Sequence, residues 1–142
     1  MPKQRVRINR FLSFLILFYC LPLSVPSASP QKLTAQSLLA TDSIPVSWQP
    51  IPIKFTNGLI VGYTLRFWLI SIGKEKTNKQ EVKVIHLSSL TQFIELNNLE
   101  MFAKYGIEVS GYTKKGDGPA AFTTAGKKLI RNQSVSNTQL LV

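Results

Sequence analysis

The sequence predicts an all-β fold, a sandwich of seven antiparallel strands in two facing sheets. Three observations carry the prediction. Apolar residues recur at every second position from Leu33 onward, and turn-forming residues separate these runs at short intervals. No stretch repeats with a helical period for long enough to bury a stripe along one side.

The elements follow in order. The first strand covers Gln31 to Ser37, and Thr41-Asp42-Ser43 supplies its turn. In the second, Ile44 to Gln49, Ile44, Val46 and Trp48 alternate with Pro45 and Ser47. Pro50, Pro52 and the Asn57-Gly58 pair then break the chain before a long third strand, Leu59 to Leu69. There Tyr63, Leu65 and Phe67 alternate with Thr64 and Arg66. A lysine-rich connection from Gly73 to Asn78 leads to Gln80–Ile85, with Val82 and Val84 around Lys83, and then to Gln92–Leu96. In Lys104–Thr113 the apolar positions are Tyr105, Ile107 and Val109. Lys114 to Pro119 reads as a loop because of Gly116 and Gly118, and a last strand lies around Ala121 to Ala125. A strand with one dry and one wet face needs an opposing sheet, which gives the two layers.

The ends read differently. Residues 1–28 carry Lys3, Arg5, Arg7 and Arg10, then the apolar run FLSFLILFYCLPLSV, then Ser27 and Ala28, the pattern of a secretory signal peptide. The run is shorter than the roughly 20 residues a bilayer span requires and contains Pro22, so removal on export is preferred to retention as an anchor. The domain is assigned to residues 29–127. From 128 to 142 the alternation stops, and the segment is read as a disordered tail. The single cysteine, Cys20, lies in the leader, so the exported chain holds itself together by burial alone. Four of the 17 basic residues also lie there, leaving 13 against 7 acidic residues and a net charge of +6. That excess favours acidic partners such as sulfated glycans, although Glu75 and Glu81 interrupt the lysines around them.

Five pieces in the right order resemble the fibronectin type III domain, an immunoglobulin-like sandwich. They are Leu33 to Ala35, IPVSWQP from Ile44 to Pro50 with Trp48, GLIVGYTLRF from Gly58 to Phe67, Leu96 and Leu99 ahead of Tyr105, and YGIEVSGYT leading into GDGPA. The resemblance implies that Trp48, Tyr63, Leu65, Leu99, Tyr105 and Ile107 are structural core. It also implies a tyrosine corner, in which the Tyr105 hydroxyl reaches back to the backbone of the preceding crossover. Met101 departs from the proline the family favours in that crossover.

The resemblance further implies a non-catalytic module that binds through its loops and sheet faces. Some adhesive relatives present an Arg-Gly-Asp tripeptide in the loop occupied here by Lys115, Gly116 and Asp117. These three are candidate binding residues, weighed against an ordinary glycine turn. Trp68 falls on the strand face opposite to Tyr63 and is either a partner anchor or a cover for its own sheet. Asn132 begins an Asn-x-Ser sequon and is a candidate N-glycosylation site. His86 reads as a loop residue. With no other histidine and no cysteine in the exported part, no metal site is expected, since zinc takes three or four ligands. No nucleophile elbow, phosphate loop or carboxylate pair points to an enzyme or a cofactor. The reading is an extracellular adhesion or protein-binding module, secreted, or else anchored by its N-terminal segment. The expected partner is an extracellular protein or a sulfated glycan, not a nucleic acid. The alternative is the first ectodomain of a truncated receptor of the tyrosine phosphatase or kinase type.

Overall fold

The computed structural model describes residues 24–36, 43–77 and 81–126. Eight strands follow in chain order: β1 (Gln31–Ala35), β2 (Ile44–Gln49), β3 (Gly62–Ile72), β4 (Glu75–Lys76), β5 (Lys83–Ser88), β6 (Phe93–Leu96), β7 (Ala103–Thr113) and β8 (Gly116–Gly126). One sheet has the order β1-β2-β6. In the other, β3 is central, with β4 and β5 on one side and β7 then β8 on the other. All pairings are antiparallel.

Side-chain alternation determines what lies between the sheets. Ile44, Val46 and Trp48 of β2 face Tyr63, Leu65 and Phe67 of β3 and Tyr105, Ile107 and Val109 of β7, and all nine are buried. Leu96, Leu99, Ala103 and Ala125 close the same core. The Trp48 and Tyr63 rings meet edge to face at 5.6 Å, an arrangement that adds about 0.5–1.5 kcal/mol to burial itself. The corner is formed as well: the Glu100 backbone N–H donates to the Tyr105 hydroxyl at 2.9 Å.

The strand boundaries differ from the sequence reading in three places. β3 runs past Leu69 through a bulge to Ile72, and Gly73, at φ +58°, turns the chain so that Glu75–Lys76 pairs back onto Ser71 and Ile72. This added strand is why eight are present where seven were expected. β5 is displaced toward its C-terminal side, which corrects His86 from a loop to a strand position opposite Thr64. Gly116 to Pro119 is strand and not loop: the turn is confined to Lys114 and Lys115, and Thr113 pairs with Gly116. Here the cross-strand contact of Asp117 with Arg66, within the same sheet, outweighs the local turn preference of the glycines and holds β8 in register against β7.

Residues 24–28, assigned to the leader above, pack against the sandwich. Ser24 N–H donates to Asn57 O at 3.1 Å, Ser27 N–H to Phe55 O at 2.9 Å, and Asn57 Nδ2 to Val25 O at 3.0 Å. The Thr113 hydroxyl donates to Ser24 O at 2.9 Å. Pro26 is fully buried over Gly118, where a methyl group would stand 2.6 Å from the proline ring. The segment is therefore a strap linking the β2–β3 connection to the β7–β8 hairpin. The rest of the apolar run, Cys20, Asn132 and the tail from 127 onward lie outside the described residues.

Candidate functional site

The outer face of the larger sheet carries the polar and aromatic chemistry that the core does not absorb. On β3, the residues alternating with Tyr63, Leu65 and Phe67 are Thr64, Arg66 and Trp68. Their ladder partners on β7 are Ser110, Glu108 and Gly106. Arg66 reaches across β7 to β8: Nη2 donates to Asp117 Oδ2 at 2.6 Å and Nη1 to Ser110 Oγ at 3.2 Å. The Thr64 hydroxyl lies 3.4 Å from Asp117 Oδ1 and 3.4 Å from His86 Nδ1, while the His86 ring meets Tyr112 edge on. Arg66, Asp117 and His86 thus roof over two hydroxyls, Thr64 and Ser110, that are themselves buried. The ion pair is about one-third exposed on each side, so its stabilisation is on the order of 0–1 kcal/mol; its main effect is to order the face.

Further along the same face, Trp68 stacks on Phe122 at 5.9 Å and 21°. Gly106 makes room for it: a β-carbon there would stand 2.6 Å from Trp68 Cε2. Trp68 is thus half-buried, its indole held flat between strands, while Phe122 remains 57% exposed and Val84 is exposed beside Arg66. The period of β3 indicated Trp68, but Phe122 and Gly106 were missed. A glycine directly opposite a tryptophan in an alternating strand was the available signal, because a missing side chain marks a close approach.

The three residues of the tripeptide are separated. Lys115 is at the turn, Gly116 begins β8, and the Asp117 carboxylate is held by Arg66. Trp48, Tyr63, Leu65, Leu99, Tyr105 and Ile107 lie in the core. Burial pushes the Tyr63 phenol above its usual pKa, opposed by a hydrogen bond to the backbone of Ile51. Among the described residues no cluster of three or more His, Cys, Asp or Glu side chains could hold a metal ion.

Residues 28–126 match the family model of the fibronectin type III domain. The chain belongs to the fibronectin type III family. Mouse protein sidekick-2 is 32% identical over 104 residues, or 73% of this chain, and the fruit-fly cell adhesion molecule Dscam2 is 39% identical over 94 residues, or 66%. The chain spans about 4% of the length of each. Among solved structures, the fifth such domain of Drosophila Lar is 30% identical with a TM-score of 0.53, over 73% of this chain and 98% of that one. The third fibronectin type III domain of a human protein superposes with a TM-score of 0.65 at 23% identity, over 80% of this chain and 91% of that one, a likeness of fold. Among the described residues no helix is long and apolar enough to cross a membrane.

Proposed function

We propose that this fibronectin type III chain is an extracellular, non-catalytic protein-binding module, and that the outer face of its larger sheet is the contact surface. The observation that carries the reading is the ordered cluster on that face. An Arg–Asp pair and a stacked Trp68–Phe122 pair present a rigid aromatic edge beside a fixed guanidinium, the side-chain types that dominate interface energies. Matched relatives named as cell adhesion molecules support the class of function. In this proposal residues 1–23 act in export, as a removed leader or as an anchor, and Asn132 carries a glycan.

The test is binding of the fluorescently tagged chain to intact cells, comparing the wild type with Phe122→Ser and with Phe93→Ser, an exposed aromatic on the other sheet. Loss of binding in the first and retention in the second supports the face. Equal binding by both variants would exclude it, and collapse of all binding at modest salt would replace the protein partner with a sulfated glycan. The small share of the relatives that the chain spans favours a second reading, in which it is the first ectodomain of a receptor. Transcript sequence beyond Val142 encoding another sandwich or a spanning helix would establish it.

A further inference from the structure

The three most exposed large apolar side chains among the described residues are Leu90, Ile53 and Leu59, at 87%, 84% and 79%; the next is Phe122 at 57%. The pairings bring all three to one end of the sandwich. Gly62 pairs with Ser88 and Tyr112, so the connections at 50–61, 89–92 and 114–115 share that end. The backbone N–H of Trp48, near the end of β2, donates to Gln92 O and ties the 89–92 connection to that strand. The same end carries Lys54, whose ammonium lies 4.7 Å from the Phe55 ring centroid, the Lys114-Lys115 turn, and Lys32 where β1 begins. Among the described residues at this end the one carboxylate, Asp117, is already engaged by Arg66. Ser24 is fastened here too, through Asn57 and Thr113.

We infer that this end of the domain is a membrane-contacting tip, with Ile53, Leu59 and Leu90 entering the outer acyl layer and Lys32, Lys54, Lys114 and Lys115 meeting anionic headgroups. Aliphatic side chains projecting from separate short loops within a ring of lysines fit the interface of a bilayer, whose depth is apolar and whose surface is acidic. A sulfated glycan would use the lysines but leave the three aliphatics in water. A protein partner would use the aliphatics, but nothing in its chemistry requires every free charge at the end to be positive.

The test uses the purified full chain in a Cys20→Ser background, with a single environment-sensitive fluorophore on Leu59→Cys, Leu90→Cys or, as the distant control, Phe122→Cys. Each is mixed with vesicles of phosphatidylcholine alone or with phosphatidylserine added. The expected result is a blue shift and quenching by acyl-chain spin labels at 59 and 90 but not at 122. Affinity for the anionic vesicles should fall about fivefold for each lysine changed to glutamine and about tenfold for Leu59→Ser. If vesicles bind through the leader while 59 and 90 keep their aqueous emission, the inference is wrong. It is equally wrong if the labels respond to short heparin chains but not to lipid, or if anionic vesicles are still bound more tightly than zwitterionic ones after the lysines are replaced.

Discussion

Replacing Tyr105 by Phe removes one oxygen and tests whether the corner holds the crossover to the sandwich. The ring remains buried against Phe67, so almost no cavity forms, and the loss is confined to the bond donated by the Glu100 N–H at 2.9 Å. A backbone donor left unpaired in the interior costs about 1–3 kcal/mol. Glu100 itself is exposed, so water can approach from one side, which places the cost in the lower half of that range, about 1–2 kcal/mol. For a domain of this size each kcal/mol moves the melting midpoint by about 4–8 °C, so a fall of about 5–15 °C is predicted. The control is Tyr112→Phe, whose half-exposed ring keeps its edge contact to His86 and which should change stability by no more than about 0.5 kcal/mol. Thermal and urea unfolding followed by circular dichroism give both numbers. If Tyr105→Phe melts no lower than the control, the corner bond does not stabilise the fold and the account of the crossover is wrong.

Three further perturbations address other contacts. Gly106→Ala sets a methyl group against the Trp68 indole and should lower stability by about 1–3 kcal/mol. It should also red-shift the Trp68 share of the fluorescence, with Trp48 staying buried; unchanged emission would contradict the stack. Gly118→Ala should unseat Pro26 and open the segment before Ala28 to proteolysis, which mass spectrometry of the fragments would detect. The raised pKa of Tyr63 gives a pH dependence with a definite sign. Its protonated form is favoured by folding, so this contribution is complete below the unfolded tyrosine pKa near 10.0 and is lost as pH rises through the folded value. Melting points of wild type should therefore fall more steeply above pH 10 than those of Tyr63→Phe, and parallel curves would refute it.

How far the sequence could be read depended on whether an element's neighbours are local. Period two identifies the dry faces of β2, β3 and β7 because one buried face imposes alternation on every residue of the strand. It could not find β4, whose two residues are polar and exposed and pair only because Gly73 turns β3 back on itself. It misread Gly116–Pro119 because turn chemistry is local, whereas the interactions holding those residues in β8 come from Arg66 and Pro26, 51 positions away in the case of the Arg66–Asp117 bond. The strap was hidden for the same reason. Ser24 and Val25 read as the end of the apolar run and Ser27 and Ala28 as the leader exit, and only the segment's hydrogen bonds to Asn57, Phe55 and Thr113 show that it packs with the domain. For the candidate surface, Trp68 was visible as an outward aromatic in an alternating strand. Its partner Phe122 lies on a different strand, and no pattern within β3 points to it.

These contacts also decide which parts of the domain are free to meet something else. The β7–β8 hairpin is pinned twice, by Asp117 to Arg66 on the sheet face and by Gly118 beneath Pro26 of the strap, so the aspartate beside Lys115 and Gly116 is not a mobile loop-tip acid. An engaged carboxylate would have to give up a 2.6 Å charge-assisted bond before serving an outside partner, while Lys114 and Lys115 face no such cost. The hairpin therefore offers positive charge at its tip and keeps its negative charge for the sheet. The tip lies at the ends of the strands and the Trp68–Phe122 stack lies along them, so the two surfaces can be occupied together. A domain resting on lipid by Ile53, Leu59 and Leu90 would leave the outer sheet face, with Arg66 already oriented, turned sideways to proteins on the same surface.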